Sequence, residues 1–236
     1  MTKNYWLNYW DKKNIWTESG LWKKNMEIFF QKTSDIFNYK KEMNILDIGC
    51  GNGDFATKIS EKVGQVFCVD TSKEYVSMCK NRFLNKKNIY VFLLGDNYTD
   101  LSFLKKNKFS IIFANSVVQY YNSQKEIIDL VKSAKNIAEK DAYFLISDIE
   151  AYDEKKKSYL KLIYTSVING YFFSLIKMGS KLFINKDYAK TEKLQPLLIV
   201  NLNKLIEDLS VFCKKVSVVN NNVTANVDRK HLLIKF

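Results

Sequence analysis

The sequence of 236 residues contains little proline, glycine or arginine. With one proline and 8 glycines, a chain of many short strands joined by tight turns is not expected, because such turns depend on these two residue types. Arg82 and Arg229 are the only arginines among 37 basic residues, so guanidinium groups that read guanine bases or clamp phosphates are scarce. We therefore interpret the net charge of +12 mainly as a solvated lysine surface and expect no specific nucleic-acid partner. An anionic substrate or a membrane surface is a second interpretation of this charge.

The sequence also lacks paired cysteines and long apolar segments. Its four cysteines include no CxxC pair, which predicts buried, reduced thiols and a reducing compartment. The N-terminal segment has no uninterrupted apolar stretch typical of a signal peptide, and the longest apolar tract, residues 162–176, is too short to span a bilayer. We expect a cytoplasmic protein without stable membrane insertion, whose oligomeric state the sequence does not indicate.

Short apolar runs alternate with helical patterns from residue 44 onward. Thr71 and Ser123 are each followed three residues later by a glutamate, a capping-box pattern that begins a helix. Five apolar runs are typical of strands buried on both faces of a parallel sheet; they span residues 44–48, 65–69, 89–94, 109–114 and 142–146. The alternation predicts a doubly wound α/β core.

The two ends of the chain and one internal segment differ from this core. Residues 1–42 contain all four tryptophans, and we expect them to form a helical cap or lid beside the core of residues 43–149. Residues 150–200 are aromatic without strand alternation, which favours a helical insertion that covers the substrate. The last segment, residues 201–236, predicts a helix over 202–212 and strands over 214–219 and 229–235. A link this short makes the two strands antiparallel neighbours.

A glycine loop lies between the first predicted strand and the following helix. Gly49, Gly51 and Gly53 fall within five residues, a spacing that lets a ligand approach main-chain N–H groups. Asp47 and Asp54 flank the loop and would repel a pyrophosphate, which the free N-terminus of a helix otherwise favours. Two carboxylates suit a ligand with ammonium and sulfonium groups, which indicates S-adenosylmethionine as the cofactor.

Further polar residues follow the next predicted strands. Asp70 ends the second strand, where a carboxylate can accept hydrogen bonds from both ribose hydroxyls, and Asp96 follows the third strand, where it can accept from an adenine amino group. Parallel strands present their carboxyl ends at one edge of the sheet, where such folds bind ligands. The remaining predicted cofactor contacts are neighbours of these positions, namely Cys50, Thr71, Asn97, Asn115 and Ser116.

These motifs together resemble those of the class I S-adenosylmethionine-dependent methyltransferases, in particular the branch that acts on small molecules. The resemblance rests on LDIGCGNG at residues 46–53, on the acidic residues after the second and third strands, and on residues 109–121. It implies a seven-stranded sheet, mostly parallel, with an antiparallel last strand. It also implies cofactor binding by the residues that match the family motif, which are Asp47, Gly49, Gly51, Asp70, Asp96 and Asn115.

The sequence departs from the family where a general base is concerned. Many family members begin the fourth strand with an aspartate where this chain has Ser110, and carry a histidine after that strand where it has Gln119 followed by two tyrosines. The sole histidine, His231, falls within the last predicted strand, so a catalytic histidine is not expected. The main candidates for the base are Asp148 and Glu150, which are two residues apart and therefore on one face if the strand continues. Tyr120 and Tyr121 are further candidates, and the alternative is that no base is needed. No metal-ligand spacing is present, although carboxylates leave a magnesium site open.

The function predicted from the sequence is methyl transfer to a small-molecule acceptor, directed to oxygen. A sugar, a sugar nucleotide or another surface-glycan precursor is the acceptor class we consider. Two alternatives remain open, namely an RNA methyltransferase and a catalytically inactive protein that binds S-adenosylmethionine.

Overall fold

The computed structural model describes residues 4–12, 20–152, 159–168, 170–184, 186–219, 223–226 and 228–236. Trp16 and part of the asparagine-rich link before the last strand lie outside these residues. No helix in the described part of the chain is both long and apolar enough to cross a membrane.

Seven strands form one sheet in the order β3-β2-β1-β4-β5-β7-β6. Strands β1 to β5 are parallel to one another, whereas β7 is antiparallel to both of its neighbours, β5 and β6. The predicted doubly wound sheet with an antiparallel last strand is therefore confirmed. The strands are β1 (Asn44–Ile48), β2 (Gln65–Asp70), β3 (Ile89–Leu93), β4 (Phe109–Asn115), β5 (Ala138–Ile149), β6 (Lys215–Val218) and β7 (Lys230–Lys235).

Helices cover both faces of the sheet and add a cap and an insertion. Helices α1 and α2 precede the first strand, α3 to α5 alternate with the strands, and α6 to α8 lie between β5 and α9. The helices are α1 (Tyr5–Trp10), α2 (Gly20–Ile36), α3 (Asp54–Ile59), α4 (Lys73–Arg82), α5 (Gln124–Ile137), α6 (Tyr159–Ile168), α7 (Phe172–Ile184), α8 (Lys186–Leu194) and α9 (Leu202–Ser210).

The apolar side chains of the central strands point alternately to the two faces, as the pleat of a strand requires. On one face, Leu46 and Ile112 pack in a core that includes Leu130 of α5 and Leu205 of α9. On the other face, Ile45 packs in a core that includes side chains of α2 and α3. Burial on both faces explains why β1, β2 and β4 are continuous apolar runs in the sequence.

Three local expectations are wrong. Strand β3 is at the edge of the sheet, and Tyr90 and Leu93 are exposed there, so this strand is not buried on both faces. The N-cap of α4 is Ser72 and not Thr71, because the Ser72 hydroxyl accepts the hydrogen bond from the backbone N–H of Tyr75. The Ser123 side chain makes no cap bond.

Glu126, the glutamate of the predicted capping box at Ser123, binds other groups. The Glu126 carboxylate accepts from the backbone N–H of Asn122 at 2.8 Å and from the Tyr98 hydroxyl at 2.7 Å. Glu126 thereby ties the start of α5 to the loop that follows β3.

Candidate active site

A cleft with an empty volume of about 710 Å³ opens at the carboxyl ends of β1, β2 and β4. Four elements supply most of its lining: the glycine loop after β1, the end of β2, the segment after β4, and α1. The lining residues are Asn4, Trp6, Leu7, Trp10, Trp22, Ile48, Gly49, Gly51, Asp70, Thr71, Tyr75, Leu94, Tyr98, Asn115, Ser116, Val117, Tyr120 and Tyr121.

Two glycines of the loop are required by its backbone and by its neighbours. Gly49 has a φ of 70°, and a Cβ atom there would lie 2.3 Å from Cγ2 of Val117. Gly51 has a φ of 54°, and a Cβ atom there would meet only Trp22, at 3.9 Å, so it would stand in the cleft. Left-handed backbone favours glycine at both positions. The loop therefore leaves room for a ligand close to its main chain.

Asp70 connects this loop to the start of α4. One carboxylate oxygen accepts from the backbone N–H of Gly51 at 2.9 Å and the other from the backbone N–H of Ser72 at 2.9 Å. Burial raises the pKa of Asp70, and the hydrogen bonds from Ser72 and Gly51 oppose that shift. The side chain lines the cleft, as the sequence predicts for a residue that accepts ribose hydroxyls.

Asp47 lies beneath the loop and outside the cleft lining. Its side chain is buried, and its Oδ2 atom has no hydrogen-bond partner. Burial, followed by repulsion from Asp70, raises the pKa of Asp47 to about 8. The Cys50 thiol is also buried; its contact with Cys68, together with burial, raises its pKa well above the usual value, and its contact with Cys79 opposes that shift. Both residues shape the loop from behind.

A chain of hydrogen bonds joins the ends of β4 and β5 at the floor of the cleft. The Ser147 hydroxyl donates to Oδ1 of Asn115 at 2.8 Å. The Ser116 hydroxyl donates to Oδ2 of Asp148 at 2.7 Å, and the Thr224 hydroxyl donates to the other oxygen at 3.3 Å. Asp148 is buried behind Ser116, so a cleft ligand can reach its carboxylate only through the Ser116 hydroxyl. Burial raises the pKa of Asp148, and the charge of Arg229 opposes this.

Two other candidate bases have different surroundings. Glu150 forms an ion pair with Arg229 and lies outside the cleft lining. A bulge between Ile146 and Ile149 interrupts the alternation of β5, so Asp148 and Glu150 do not share a strand face as expected. Tyr120 lines the cleft, but burial holds the pKa of its phenol well above the usual value.

His231 lies in β7, as predicted from the sequence. The backbone N–H of Asp148 donates to its Nδ1 atom at 3.1 Å, which requires a neutral ring. Burial lowers the pKa of His231 to about 4. The histidine therefore supports the turn at Asp148 as a hydrogen-bond acceptor.

Three acidic or amide residues from the sequence prediction are not brought to the cleft. Asp96 and Asn97 are exposed and absent from the cleft lining, and Asn97 borders a separate surface cavity. Asp54 accepts a hydrogen bond from Arg82 at 2.8 Å, so its charge is offset outside the cleft. The electrostatic preference for a cationic ligand thus rests on Asp70, because the raised pKa of Asp47, about 8, leaves that carboxyl mostly protonated at neutral pH. Thr71, Asn115 and Ser116 do line the cleft.

Asn4 and α1 cover the cleft, and we call these residues the lid. The Trp6 indole donates to the backbone oxygen of Gln195 at 2.9 Å, and the backbone N–H of Tyr5 donates to the Gln195 side chain at 2.7 Å. Asn4 and Gln195 both donate to the backbone oxygen of Tyr120, at 3.0 and 3.2 Å. Sequence reasoning missed Asn4 and Gln195, since neither belongs to a motif and they are far apart in the chain.

The chemistry of the cleft fits S-adenosylmethionine. Asp70 is the only charged residue among the described lining residues, and it suits a ligand that carries positive charge. Apolar side chains of Tyr75, Leu94 and Tyr121 offer a surface for a purine ring. Among the described residues, no group of three or more potential metal ligands lies together.

A family model described as a methyltransferase domain matches residues 39–198 of the chain. Two curated relatives are the malonyl-(acyl-carrier protein) O-methyltransferases 2 and 1 of Ilyobacter polytropus. The first is 28% identical over 108 residues, which cover 45% of this chain and 38% of the relative. The second is 26% identical over 127 residues, which cover 52% and 45%. The chain therefore spans less than half the length of these two relatives.

Solved structures share the fold over the full chain. A SAM-dependent methyltransferase from Aquifex aeolicus superposes with a TM-score of 0.55 at 15% identity, covering 100% of this chain and 99% of that one. The N-methyltransferase NodS from Bradyrhizobium japonicum, solved with S-adenosylhomocysteine, gives a TM-score of 0.57 at 9% identity, covering 99% and 98%. At these identities the likeness concerns the fold.

Proposed function

This chain belongs to the methyltransferase domain family, and we propose that it transfers a methyl group from S-adenosylmethionine to a hydroxyl group of a small, uncharged molecule. The observation that carries the proposal is the hydrogen bond from Ser116 to Asp148 at the floor of the cleft. It supplies a route for the proton that a hydroxyl group must lose.

The cofactor side of the cleft is formed by the glycine loop and Asp70. When bound, S-adenosylmethionine supplies an electrophilic methyl group on a sulfonium sulfur. Asp70 has lone pairs beyond the two that accept from Gly51 and Ser72, so it can also accept from the ribose hydroxyls. Gly49 and Gly51 admit the methionine end of the cofactor close to the main chain. Asp96 remains a predicted contact of the adenine and Asn97 a predicted contact of the cofactor, although neither lines the described cleft.

The acceptor side is aromatic. Trp6, Trp10, Trp22 and Tyr120 line the cleft under the lid, and no lysine, arginine or histidine is among the described lining residues. A carboxylate or phosphate on the acceptor would find no counter-charge there. A neutral hydroxyl compound such as a sugar fits better than a sugar nucleotide, because its apolar face can pack on an indole ring.

The proton route uses two residues. As the acceptor oxygen forms its bond to the methyl carbon, its proton passes to Oγ of Ser116, and the Ser116 proton passes to Oδ2 of Asp148. The carboxylate ends protonated and the acceptor becomes a methyl ether. Ser116 would touch the acceptor, whereas Asp148 acts through Ser116. Burial raises the pKa of Asp148, which makes its carboxylate a stronger base than an exposed one.

The curated relatives give partial support for oxygen as the acceptor atom. The two curated relatives carry the name of O-methyltransferases, which agrees with transfer to oxygen. The malonyl acceptor in their names is acidic, and the described lining does not match it. The acceptor is therefore proposed from the cleft and not from these names.

The test is an untargeted search for a methylated product. A low-molecular-weight metabolite extract is separated into neutral and anionic fractions, and each is incubated with the protein and trideuteromethyl-labelled S-adenosylmethionine. We expect mass spectrometry to find a labelled product in the neutral fraction, with an equal amount of S-adenosylhomocysteine. Label only in the anionic fraction, or only in added RNA, would contradict the proposed acceptor. Tight cofactor binding without label in any fraction would favour the inactive binding protein.

A further inference from the structure

Helix α6 presents an apolar face to solvent. Ile163, Tyr164, Val167 and Ile168 are 45%, 67%, 58% and 63% exposed. Residues three and four positions apart are neighbours on a helix surface, and these four residues form such pairs: Ile163 with Val167, and Tyr164 with both Val167 and Ile168. Single exposed apolar residues are common in proteins, but contiguous ones mark a binding surface.

Helix α7 follows the turn at Gly170, contacts α6 and also carries exposed apolar side chains. Phe173 and Ile176 are 84% and 54% exposed and three residues apart. We call the six side chains of the two helices the α6–α7 surface. The opposite side of the hairpin is anchored: Ser166 and Tyr171 are buried, and the Tyr171 hydroxyl donates to the backbone oxygen of Ala225 at 3.3 Å. The surface is therefore exposed on a hairpin that packs against the rest of the protein.

The sequence of the segment that carries this surface is rich in lysine, after the acidic pair Asp153 and Glu154. Residues 155–181 contain six lysines and no aspartate or glutamate. Lys177 directly follows Ile176 and is exposed. Apolar and aromatic side chains beside lysines are the pattern of helices that lie in the interface of a membrane with anionic lipids.

We propose that the α6–α7 surface binds the face of a membrane that contains anionic lipids. An anionic bilayer offers both partners that the surface needs, phosphate groups for the lysines and hydrocarbon for the apolar side chains. A second copy of the chain is a poorer occupant, because a two-fold interface places the same surface against itself and would bring two sets of lysines together. The contact is peripheral, since neither helix is long enough to cross the bilayer.

The test is vesicle flotation of the full chain. Vesicles of phosphatidylcholine alone are compared with vesicles that also contain phosphatidylglycerol. We expect the parent to float with the second kind, and the double variant Ile168→Ser, Phe173→Ser to lose more than tenfold in apparent affinity. The matched control is Leu84→Ser, Val211→Ser, because these two residues are 78% and 85% exposed and lie outside the surface. The control is expected to bind within twofold of the parent.

Three further measurements make each outcome decisive. Circular dichroism and S-adenosylhomocysteine binding should be the same in all variants, because none of the four positions lines the cleft. Light scattering reports the oligomeric state of the parent and of the double variant. No flotation of the parent, equal flotation of the parent and the double variant, or a dimer that only the double variant disrupts would each overturn the proposal.

Discussion

The Ser116 hydroxyl donates a hydrogen bond of 2.7 Å to the Asp148 carboxylate, and both residues have left-handed backbone, with φ of 58° and 66°. Each directly follows a member of the last residue pair between β4 and β5, which is Asn115 with Ser147. Each such conformation costs about 1–3 kcal/mol in a residue other than glycine. The fold around them supports this conformation: the backbone N–H of Ser116 donates to Ser147, and that of Asp148 donates to His231. The pair is thereby held in place at the floor of the cleft.

The first prediction concerns this pair in catalysis. With a neutral hydroxyl acceptor, Ser116→Ala and Asp148→Asn should each lower kcat by about a hundredfold or more, as is usual for loss of a general base. The parent rate should fall as the pH drops through the raised pKa of Asp148, since the base must be ionised, and this fall should disappear in Asp148→Asn. The pH–rate profile distinguishes this role from a purely structural one.

Ser123→Ala is the matched control for the pair. Its hydroxyl makes no cap bond, so its rate and pH profile should match the parent. If Asp148→Asn stays within a few-fold of the parent with the same profile, the acceptor needs no base.

The second prediction concerns Asp70 and cofactor affinity. Asp70→Asn should weaken S-adenosylmethionine binding by about tenfold to a hundredfold, because charge-assisted hydrogen bonds of about 1.5–3 kcal/mol would be weakened or lost. Asp54→Asn is the matched control, since its carboxylate pairs with Arg82 outside the cleft, and its affinity should stay within twofold. Titration calorimetry measures both variants. Equal affinity in Asp70→Asn would remove this residue from the cofactor site.

The third prediction concerns the lid. Gln195→Ala removes the side chain that accepts from Tyr5 and donates to the backbone of Tyr120, so S-adenosylhomocysteine should dissociate several-fold faster. Stopped-flow tryptophan fluorescence can follow this, because Trp6, Trp10 and Trp22 line the cleft. Gln65→Ala changes a half-buried residue at the start of β2, at the opposite end of this strand from the cleft, and should leave the rate unchanged. An unchanged rate in Gln195→Ala would mean that the lid does not retain the ligand.

The strands could be predicted because burial on both faces leaves a simple apolar run, as in β1 and β4. The first residues of β5 could not, since Glu139, Lys140 and Asp141 are polar and continue the strand beyond its buried part. The choice between Thr71 and Ser72 as N-cap also depends on backbone geometry, because both residues carry the same functional group.

The candidate site could also be predicted only in part. Asp70, Asn115 and Ser116 could be placed together because parallel strands end at one edge of the sheet. Asp96 could not be placed, because it follows the edge strand β3 and is exposed in the loop after it. The contact between the lid and Gln195 joins residues about 190 positions apart, and neither side carries a pattern that indicates the other.

The last prediction concerns Asp47 and stability. Burial and repulsion from Asp70 raise the pKa of Asp47 from 3.8 to about 8, so the folded protein binds a proton that the unfolded chain releases near its ordinary pKa. The stabilisation from this proton is fully present below the ordinary pKa and is lost as the pH rises through about 8. Over that window the free energy of unfolding should fall by up to about 1.4 kcal/mol per pH unit from this residue alone.

Asp47→Asn removes this titration. As the pH rises from the acidic range to about 8, the free energy of unfolding should therefore fall more in the parent than in the variant. Urea unfolding of the protein without cofactor, at several pH values, measures both. The buried amide can lower stability at every pH, and the difference in slope is therefore the quantity to compare. Asp54→Asn changes the charge near the same loop and should keep the slope of the parent. Parallel curves for the parent and Asp47→Asn would show that Asp47 is ionised throughout, and its orphaned Oδ2 would then have to be stabilised by a group other than a bound proton.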